Sequence, residues 1–317
     1  MVELPEKPEK PTLYFVGVTT HESSINDVFP AWADALNLNA QLEGINIEIH
    51  AEPDEYRKVV NFIKENELAK GALVTTHKID LFNAAKDMFD YLDPHCTIQE
   101  ELSCISKNNG NLEGYAKDPI SSGLAMEAFI PDGFWKKHAG EVFIMGAGGS
   151  ARAISSYLFD KENRDKDNMP SKLYINNRSQ PRLTKFERIF AEINNDIEVE
   201  YNLSPEHKQN DEVLERLKPY SLVVNATGLG KDRPGSPLSD NCEFPINSLV
   251  WELNYRGERK FMHQAIEQKE DKNLYIEDGW IYFIHGWSQV IFEVFNIEYD
   301  QKLIDKLDKV AAEIKNR

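Results

Sequence analysis

A cluster of small residues separates a short apolar segment from a helical one in EVFIMGAGGSARAISSYLFD, residues 141–160. Its residues Gly146, Gly148 and Ala151 have the G-x-G-x-x-A spacing of a dinucleotide-binding turn. The first glycine permits a tight turn, the second lets a pyrophosphate approach the backbone, and the small third residue lets the helix pack closely on the strand. The N-terminus of the helix offers unpaired N–H groups and a positive dipole end to the phosphates. The pattern predicts a dinucleotide site formed by Gly146, Ala147, Gly148, Gly149, Ser150 and Ala151, although a glycine turn can also serve backbone shape alone.

The end of the next expected strand, in LYINNRSQPR, indicates which dinucleotide binds. NAD sites usually place an acidic residue there to bind the ribose 2′-hydroxyl. Here Asn177 occupies that place and Arg178, Ser179 and Arg182 follow. Guanidinium groups bind a phosphate through paired hydrogen bonds, so this segment favours NADP over NAD. The alternative is an arginine pair that is simply solvated on a surface loop.

Strand-like and helix-like segments alternate along the whole chain. INIEIH alternates with period two and predicts a strand over residues 45–50, whereas DVFPAWADALNL has apolar residues at helical spacing, with Pro30 in its first turn. LSCISK and NLEGYA, joined by NNGN, predict a β-hairpin. Repeated alternation of this kind predicts an α/β fold with parallel sheets.

Composition narrows the classes of partner. The 317 residues suggest about two domains, and the net charge of −17 argues against a nucleic-acid partner and against anionic membranes. We find no apolar run near the roughly 20 residues of a membrane-spanning helix, and the polar N-terminus does not resemble a signal peptide. The three cysteines suggest free thiols in the cytoplasm, and no histidine spacing indicates a metal site.

Several segments, in order along the chain, resemble the shikimate/quinate dehydrogenases. The resemblance extends from about Leu13 to Phe295 and is strongest in the nucleotide-binding half. The segments that carry it are GVTTHESSI, GALVTTHK, LEGYAKDPISSG, IMGAGGSARA, NNRSQPR, VVNATGLG, WELNY and EDGWIYFIHGWSQVIFEVF.

The resemblance implies the domain organisation. We expect an N-terminal α/β substrate-binding domain over residues 1–125 and a C-terminal, doubly wound Rossmann NAD(P)-binding domain over residues 126–279. The C-terminal helices in residues 280–317 are expected to pack back onto the first domain.

The same resemblance assigns roles to individual residues. Lys78 and Asp118 correspond to the catalytic lysine–aspartate pair. Ser23 and Ser24 are candidate donors to a substrate carboxylate, or else caps of the following helix. By their position, Thr75 and Tyr255 are further candidate substrate contacts, although either could equally be an ordinary core or strand residue. Asn225, Thr227 and Gly228 end a strand at the carboxyl edge of the predicted sheet, where α/β proteins bind ligands, and are candidate cofactor contacts. Gly279, at the start of the closing helix, is another.

The substrate half departs from the family pattern. The proline before the catalytic lysine is missing, and Leu73 and Ser103 stand where the family has asparagines. Ala116 and Lys117 replace an asparagine–threonine pair. Either His285 or Gln289 takes the place of the glutamine in the closing helix, so both remain substrate-binding candidates together with Ser103.

These observations predict an NADP-dependent oxidoreductase that interconverts a secondary alcohol and a ketone in a small polyhydroxylated carbocyclic acid, such as shikimate or quinate. The alternatives are the same fold acting on another cyclitol or sugar acid, and a non-catalytic NADP-binding sensor. Rossmann domains with a lysine-containing partner domain also occur in folate-type dehydrogenases and glutamyl-tRNA reductases. A glutamyl-tRNA reductase would need a nucleophilic cysteine, which the VTTHK loop lacks. We expect a small-molecule hydroxy-acid partner and a monomer or homodimer.

Overall fold

The computed structural model describes residues 2–160, 167–191, 197–231 and 233–315. They form two compact units, of which unit 1 comprises Met1–Asp118 with Ile284–Arg317 and unit 2 comprises Pro119–Phe283. Each unit contains its own six-stranded sheet. Within the described ranges, every helix is too short or too polar to cross a lipid bilayer.

The secondary structure follows the alternation that the sequence suggests. The strands are β1 (Thr12–Gly17), β2 (Gln41–Asn46), β3 (Ala69–Val74), β4 (Tyr91–Leu92), β5 (Cys104–Asn108), β6 (Asn111–Tyr115), β7 (Val142–Met145), β8 (Lys172–Asn177), β9 (Glu198–Leu203), β10 (Leu222–Asn225), β11 (Leu249–Glu252) and β12 (Tyr275–Glu277). The helices are α1 (Ile25–Ala35), α2 (Pro53–Glu65), α3 (Lys78–Ala85), α4 (Pro94–Gln99), α5 (Asp118–Phe129), α6 (Phe134–His138), α7 (Gly149–Phe159), α8 (Gln180–Ala191), α9 (His207–Arg216), α10 (Lys260–Glu267), α11 (Lys269–Lys272), α12 (Trp280–Val294) and α13 (Gln301–Lys315).

Unit 1 is built on a mixed sheet with the strand order β2-β1-β3-β5-β6-β4. β1 lies between β2 and β3 and is parallel to both. The predicted hairpin is confirmed, because β5 and β6 are antiparallel and are joined by Asn109 and Gly110, both with positive φ, at 50° and 89°. Two such residues form the turn that matches the natural twist of a hairpin.

Two sequence expectations in unit 1 are wrong in detail. The strand expected at residues 45–50 ends at Asn46, because its partner β1 ends at Gly17, which pairs with Asn46. The alternating pattern therefore continues beyond the available partner. Pro30 lies six residues into α1 rather than in its first turn, because the helix already begins at Ile25. Proline has no N–H, so one hydrogen bond of this helix is missing.

The C-terminal helix completes unit 1. Helices α1 and α13 pack together, and the Nε1–H of the fully buried Trp32 donates to the Leu307 carbonyl at 2.8 Å. The side chain of Phe15 in β1 similarly meets Trp287 of α12 edge to face, with ring centroids 5.0 Å apart. Residues near both ends of the chain thus build one core.

Unit 2 is a parallel sheet with the strand order β9-β8-β7-β10-β11-β12. Numbered from β7, this is the order 3-2-1-4-5-6 of a doubly wound Rossmann fold. Every residue of β7, β10 and β11 is buried, as expected for strands covered on both faces. The fold class predicted from the sequence is confirmed. Strands β8 and β9 lie on one side of β7, and strands β10, β11 and β12 lie on the other. Ligands of such sheets bind at this switch point, at the carboxyl ends of the strands.

Replacing Trp32 by alanine tests the contribution of the α1–α13 contact to stability. We expect Trp32→Ala to lower the free energy of unfolding by about 3–5 kcal/mol, because it removes a buried aromatic side chain and its hydrogen bond to the Leu307 carbonyl. Urea denaturation followed by circular dichroism measures the change. Ile49→Ala is the control, because Ile49 is 57% exposed, and its effect should stay within about 0.5 kcal/mol. Equal effects of the two substitutions would contradict this assignment.

Candidate active site

The glycine turn after β7 is held tightly by its neighbours. Gly146 has φ +120° and its N–H donates to the Asn176 carbonyl at 2.7 Å. A Cβ added at Gly146 would lie 2.5 Å from the carbonyl oxygen of Ala226, which follows β10. Both the backbone angle and the close approach therefore require glycine at this position.

The second glycine of the turn has a different environment. Gly148 has an extended conformation, and a Cβ added there would meet no atom within 4 Å. Helix α7 begins at the next residue, Gly149, and the third small residue, Ala151, is completely buried. The turn thus combines a fixed first glycine, an open second glycine and a helix N-terminus, which is the arrangement that a dinucleotide pyrophosphate requires.

The arginines after β8 are accessible to a ligand. Asn177 closes β8 and its side-chain amide donates to the Ser179 carbonyl at 3.2 Å. Arg178 and Arg182 are exposed, and neither guanidinium has an ion-pair partner among the described residues. Arg182 is the third residue of α8, where a cation is mildly unfavourable beside the positive end of the helix dipole. A bound phosphate would offset that repulsion.

The loop after β10 is held by side chains that the sequence analysis assigned to the cofactor. Asn225 is completely buried, and its amide oxygen accepts from the N–H and the hydroxyl of Thr227 at 3.1 and 2.7 Å. Its amide nitrogen donates to Leu229 O and to Glu252. The polar atoms of Asn225 therefore bind protein, whereas Thr227 and Gly228 are exposed.

Glu252, at the end of β11, is a buried acid that the sequence analysis did not select. Its carboxylate accepts from the Asn225 amide at 2.9 Å and from the backbone and side-chain N–H groups of Asn254 at 2.9 and 2.7 Å. Burial raises the pKa of Glu252 to about 7, and these hydrogen bonds partly oppose that rise. An acidic residue inside the otherwise apolar strand LVWE was the available signal.

In unit 1, the structure brings the predicted catalytic pair together. Lys78 is the first residue of α3, shortly after β3, and Asp118 is the first residue of α5, shortly after β6. The ammonium of Lys78 forms an ion pair with the Asp118 carboxylate. Their side chains are 21% and 13% exposed, so the pair is largely shielded but still accessible. A lysine ammonium has three N–H donors, so it can bind Asp118 and a ligand oxygen together.

The two candidate serines precede α1. Ser24 is the N-cap residue of α1, but its hydroxyl makes no capping hydrogen bond, and the Ser23 hydroxyl accepts only a long bond of 3.5 Å from Ile25 N. Both serines are half-buried. The hydroxyls of Ser23 and Ser24 therefore contribute little to capping α1. The Thr75 hydroxyl makes a similarly long bond of 3.4 Å to Val16 O.

Ser103 and Lys117 have mainly structural contacts. The Ser103 hydroxyl is 2.8 Å from the backbone N–H of Lys117 and 3.4 Å from Tyr115 O, and the residue is 2% exposed. The Lys117 ammonium forms an ion pair of 2.5 Å with Glu293 and lies 4.4 Å from the centre of the Tyr115 ring. These two departures from the family pattern thus stabilise the segment leading into Asp118.

The helix α12 carries both candidates for the family glutamine. His285 and Gln289 are four residues apart and therefore share one face of the helix. The Nε2 of Gln289 is a buried donor without a hydrogen-bond acceptor among the described residues. This unpaired donor favours Gln289 as a ligand contact. Burial lowers the pKa of His285 to about 4, so its ring is neutral near pH 7.

Tyr255 and Gly279 lie in unit 2. The Tyr255 ring is half-buried and packs on Trp280 and Phe283, with centroid distances of 6.0 and 5.0 Å. A Cβ added at Gly279 would lie 2.0 Å from the carbonyl oxygen of Leu253, so the start of α12 requires glycine for close packing.

No protein-family model matches the chain. A shikimate dehydrogenase (NADP⁺) from Nitrosopumilus maritimus is 27% identical over 193 residues, which cover 59% of this chain. The match spans 60% of that relative's length.

Solved structures resemble almost the whole of this chain. Shikimate dehydrogenase from Aquifex aeolicus has a TM-score of 0.72 at 20% identity, covering 94% of this chain and 97% of its own. Quinate dehydrogenase from Corynebacterium glutamicum in complex with NAD has a TM-score of 0.72 at 15% identity, covering 96% and 99%. The fold and the glycine turn thus define a protein with a Rossmann nucleotide-binding domain. Together with the sequence relative, these similarities show that the chain resembles the shikimate and quinate dehydrogenases.

Burial of His285 makes stability depend on pH. Its pKa is about 4 in the folded chain and about 6.5 when unfolded, so the unfolded state binds the proton more tightly. Stability is therefore lost as the pH falls from about 6.5 towards 4, by about 2 kcal/mol at pH 5 from this residue.

The measurement compares wild type with His285→Asn by urea denaturation at pH 7 and pH 5. We expect the variant to lose about 2 kcal/mol less than wild type over this interval. His21→Asn is the control, because the His21 side chain is 73% exposed and should not change the pH dependence. Parallel losses in all three proteins would show that His285 does not titrate in this way.

Proposed function

We propose that this protein is an NADP-dependent oxidoreductase of the shikimate dehydrogenase type. It reversibly transfers a hydride between NADP and a secondary alcohol of a small polyhydroxylated carbocyclic acid, such as shikimate or quinate. The observation that carries this proposal is the Lys78–Asp118 ion pair, formed at the starts of α3 and α5. The nucleotide turn of unit 2 supports it independently.

The cofactor, when bound, supplies the hydride or accepts it. Gly146, Gly148 and the N-terminus of α7 would bind its pyrophosphate. During reduction of a ketone, the Lys78 ammonium donates a hydrogen bond to the carbonyl oxygen, stabilises the negative charge that develops there and gives that oxygen the proton that completes the alcohol. Asp118 holds the ammonium in place. During oxidation, the alcohol hydroxyl gives its proton to the neutral amine of Lys78, which becomes the ammonium that pairs with Asp118.

Arg178 and Arg182 support NADP as the preferred cofactor. Both are exposed cations that follow β8, where a dinucleotide-binding fold receives the adenosine ribose. The Nitrosopumilus relative is a shikimate dehydrogenase (NADP⁺), whereas the Corynebacterium quinate dehydrogenase was solved with NAD. Arg178 and Arg182 favour NADP over NAD.

Three groups support a hydroxy acid as the substrate. Ser23 and Ser24 offer weakly used hydroxyls for a carboxylate, and the Gln289 amide offers an unpaired donor. We propose that unit 1 acts as the substrate-binding domain, with residues 1–125 completed by residues 280–317, and that residues 126–279 bind the cofactor. We also propose that the enzyme acts in the cytoplasm as a monomer or homodimer.

Two alternatives use the same residues. Leu73, Ser103 and Ala116 replace polar family residues, which would suit a different cyclitol or sugar acid. A sensor that binds NADP without catalysis is the second alternative, although it has no need for the shielded ion pair of Lys78 and Asp118.

A substrate screen with Lys78→Ala tests the proposed reaction. Wild type should reduce NADP with shikimate, quinate or a related cyclic hydroxy acid, as measured by the absorbance of the reduced nicotinamide. Lys78→Ala should lower kcat/KM about a thousandfold, because it removes the proton-transferring group. Binding of NADPH, followed by fluorescence, should stay unchanged.

Lys86→Ala is the matched control, because Lys86 caps the other end of α3 and its ammonium lies over the Phe82 ring at 5.4 Å. It should retain wild-type kcat/KM. If wild type binds NADPH but oxidises none of these alcohols, the sensor alternative replaces the proposal.

The double variant Arg178→Ala/Arg182→Ala tests cofactor preference. We expect its Kd for NADPH to rise at least about tenfold, because charge-assisted hydrogen bonds to the 2′-phosphate are lost. The Kd for NADH, which lacks this phosphate, should change little. Arg188→Ala, in the last turn of α8, should leave both values unchanged. A proportional loss of NADH binding would mean that the arginines do not select the phosphate.

A further inference from the structure

The loop after β10, residues 226–230, lies beside the nucleotide turn. Ala226 N–H donates to Met145 O at 2.8 Å, and the Ala226 carbonyl is the group that approaches Gly146. The far end of the loop is closed by Gly230, whose carbonyl accepts from Arg259 N–H at 2.9 Å. We call residues 226–230 the cofactor loop.

The conformation of the cofactor loop depends on amide side chains. The Thr227 hydroxyl accepts from Leu229 N–H at 3.1 Å and donates to Asn225. The Leu229 carbonyl accepts from the side-chain amides of Asn225 and Asn254 at 3.2 and 2.9 Å. The loop is therefore held in shape by the way these two asparagines are oriented.

A single carboxylate orients both asparagines. Glu252 is completely buried, and it accepts from the Nδ2 of Asn225 with one oxygen and from the N and Nδ2 of Asn254 with the other. The amide oxygen of Asn225 must then point towards Thr227. Rotating the side-chain amide of Asn225 by 180° would place its oxygen against the Glu252 carboxylate. It would also break both hydrogen bonds with Thr227.

We propose that Glu252 is a positioning residue for cofactor binding, which acts through Asn225 and Asn254 to hold the cofactor loop in its conformation beside the nucleotide turn. This inference rests on the proposed function, because it assumes that unit 2 binds NADP. Gly228, at the exposed tip of the loop, has φ +76° and open space around an added Cβ. The tip of the loop thus offers backbone atoms to a bound cofactor.

The ionised form of Glu252 fits this role. Its hydrogen-bond partners are all N–H donors, so a proton on the carboxyl would displace one of them. Arg259 favours the charged form electrostatically, and is itself paired with Asp278 at 3.0 Å. Burial opposes it and raises the pKa of Glu252 to about 7. Small changes of pH near neutrality therefore change the state of the network.

Glu252→Gln tests the inference, because it replaces one acceptor oxygen by an NH₂ group that meets the N–H donors. We expect the Kd for NADPH to rise at least about tenfold, equivalent to one charge-assisted hydrogen bond. Glu252→Asp keeps the charge and should recover part of the affinity. The KM for the alcohol at saturating cofactor should change little.

Glu141→Gln is the matched control. Glu141 lies just before β7, at the amino ends of the strands, whereas Glu252 lies at the carboxyl end of β11. Glu141 is 4% exposed, and its carboxylate accepts from Lys218 N–H at 3.0 Å. It should lose stability without losing NADPH affinity. Equal Kd values for Glu252→Gln, Glu141→Gln and wild type would overturn the inference.

A pH series separates positioning from general destabilisation. The wild-type Kd for NADH should rise as the pH falls from 8 to 6, with a midpoint near the pKa of about 7, and Glu252→Gln should lack this dependence. NADH is used because the 2′-phosphate of NADPH titrates near pH 6. A pH dependence that is the same in both proteins would contradict the role of Glu252.

Thr227→Val provides a second route if Glu252→Gln does not fold. It removes the exposed hydroxyl that links Asn225 to Leu229 and should raise the Kd for NADPH severalfold, whereas an unchanged Kd would overturn the inference. If wild type itself binds neither NADPH nor NADH, the proposed function fails instead, so the two failures are distinguishable.

Discussion

The contact between Gly146 and the backbone after β10 governs the geometry of unit 2. No side chain fits there, since an added Cβ would lie 2.5 Å from Ala226 O. This contact brings the ends of β7 and β10 together at the point where the strand order reverses. The open position at Gly148 and the exposed tip at Gly228 each come two residues after one partner of this contact. A ligand at this edge therefore meets mainly backbone, which suits phosphates and a flat ring.

In unit 1, the partly buried charged side chains near Asp118 occur as ion pairs. Lys78 with Asp118 and Lys117 with Glu293 form neighbouring ion pairs around the start of α5, all with side chains at most 25% exposed. Partly desolvated charges are costly unless they are paired. The second pair, together with the Ser103 hydroxyl, stabilises the backbone that presents Asp118. Ser103 and Lys117, two of the residues that depart from the family pattern, thus stabilise the same segment.

The sequence predicted the features that depend on local pattern. The Rossmann half, the glycine turn and the Asn109–Gly110 hairpin each follow from short-range spacing. The end of β2 could not be predicted, because it depends on the length of β1. The sequence predicts Asn225 as a cofactor contact. In the structure, the polar atoms of its side chain bind Thr227, Leu229 and Glu252. Such networks join residues that are distant in sequence, so no local pattern reveals them.

Unit 1 is assembled from both ends of the chain, with unit 2 inserted between them. During synthesis, the first 118 residues leave the ribosome before Leu307 exists to accept the Trp32 indole hydrogen and before Trp287 exists to cover Phe15. The inserted unit is continuous and has no such delay. The nascent N-terminal sheet therefore exposes apolar surface throughout translation of the inserted unit, a period in which chaperones can bind it.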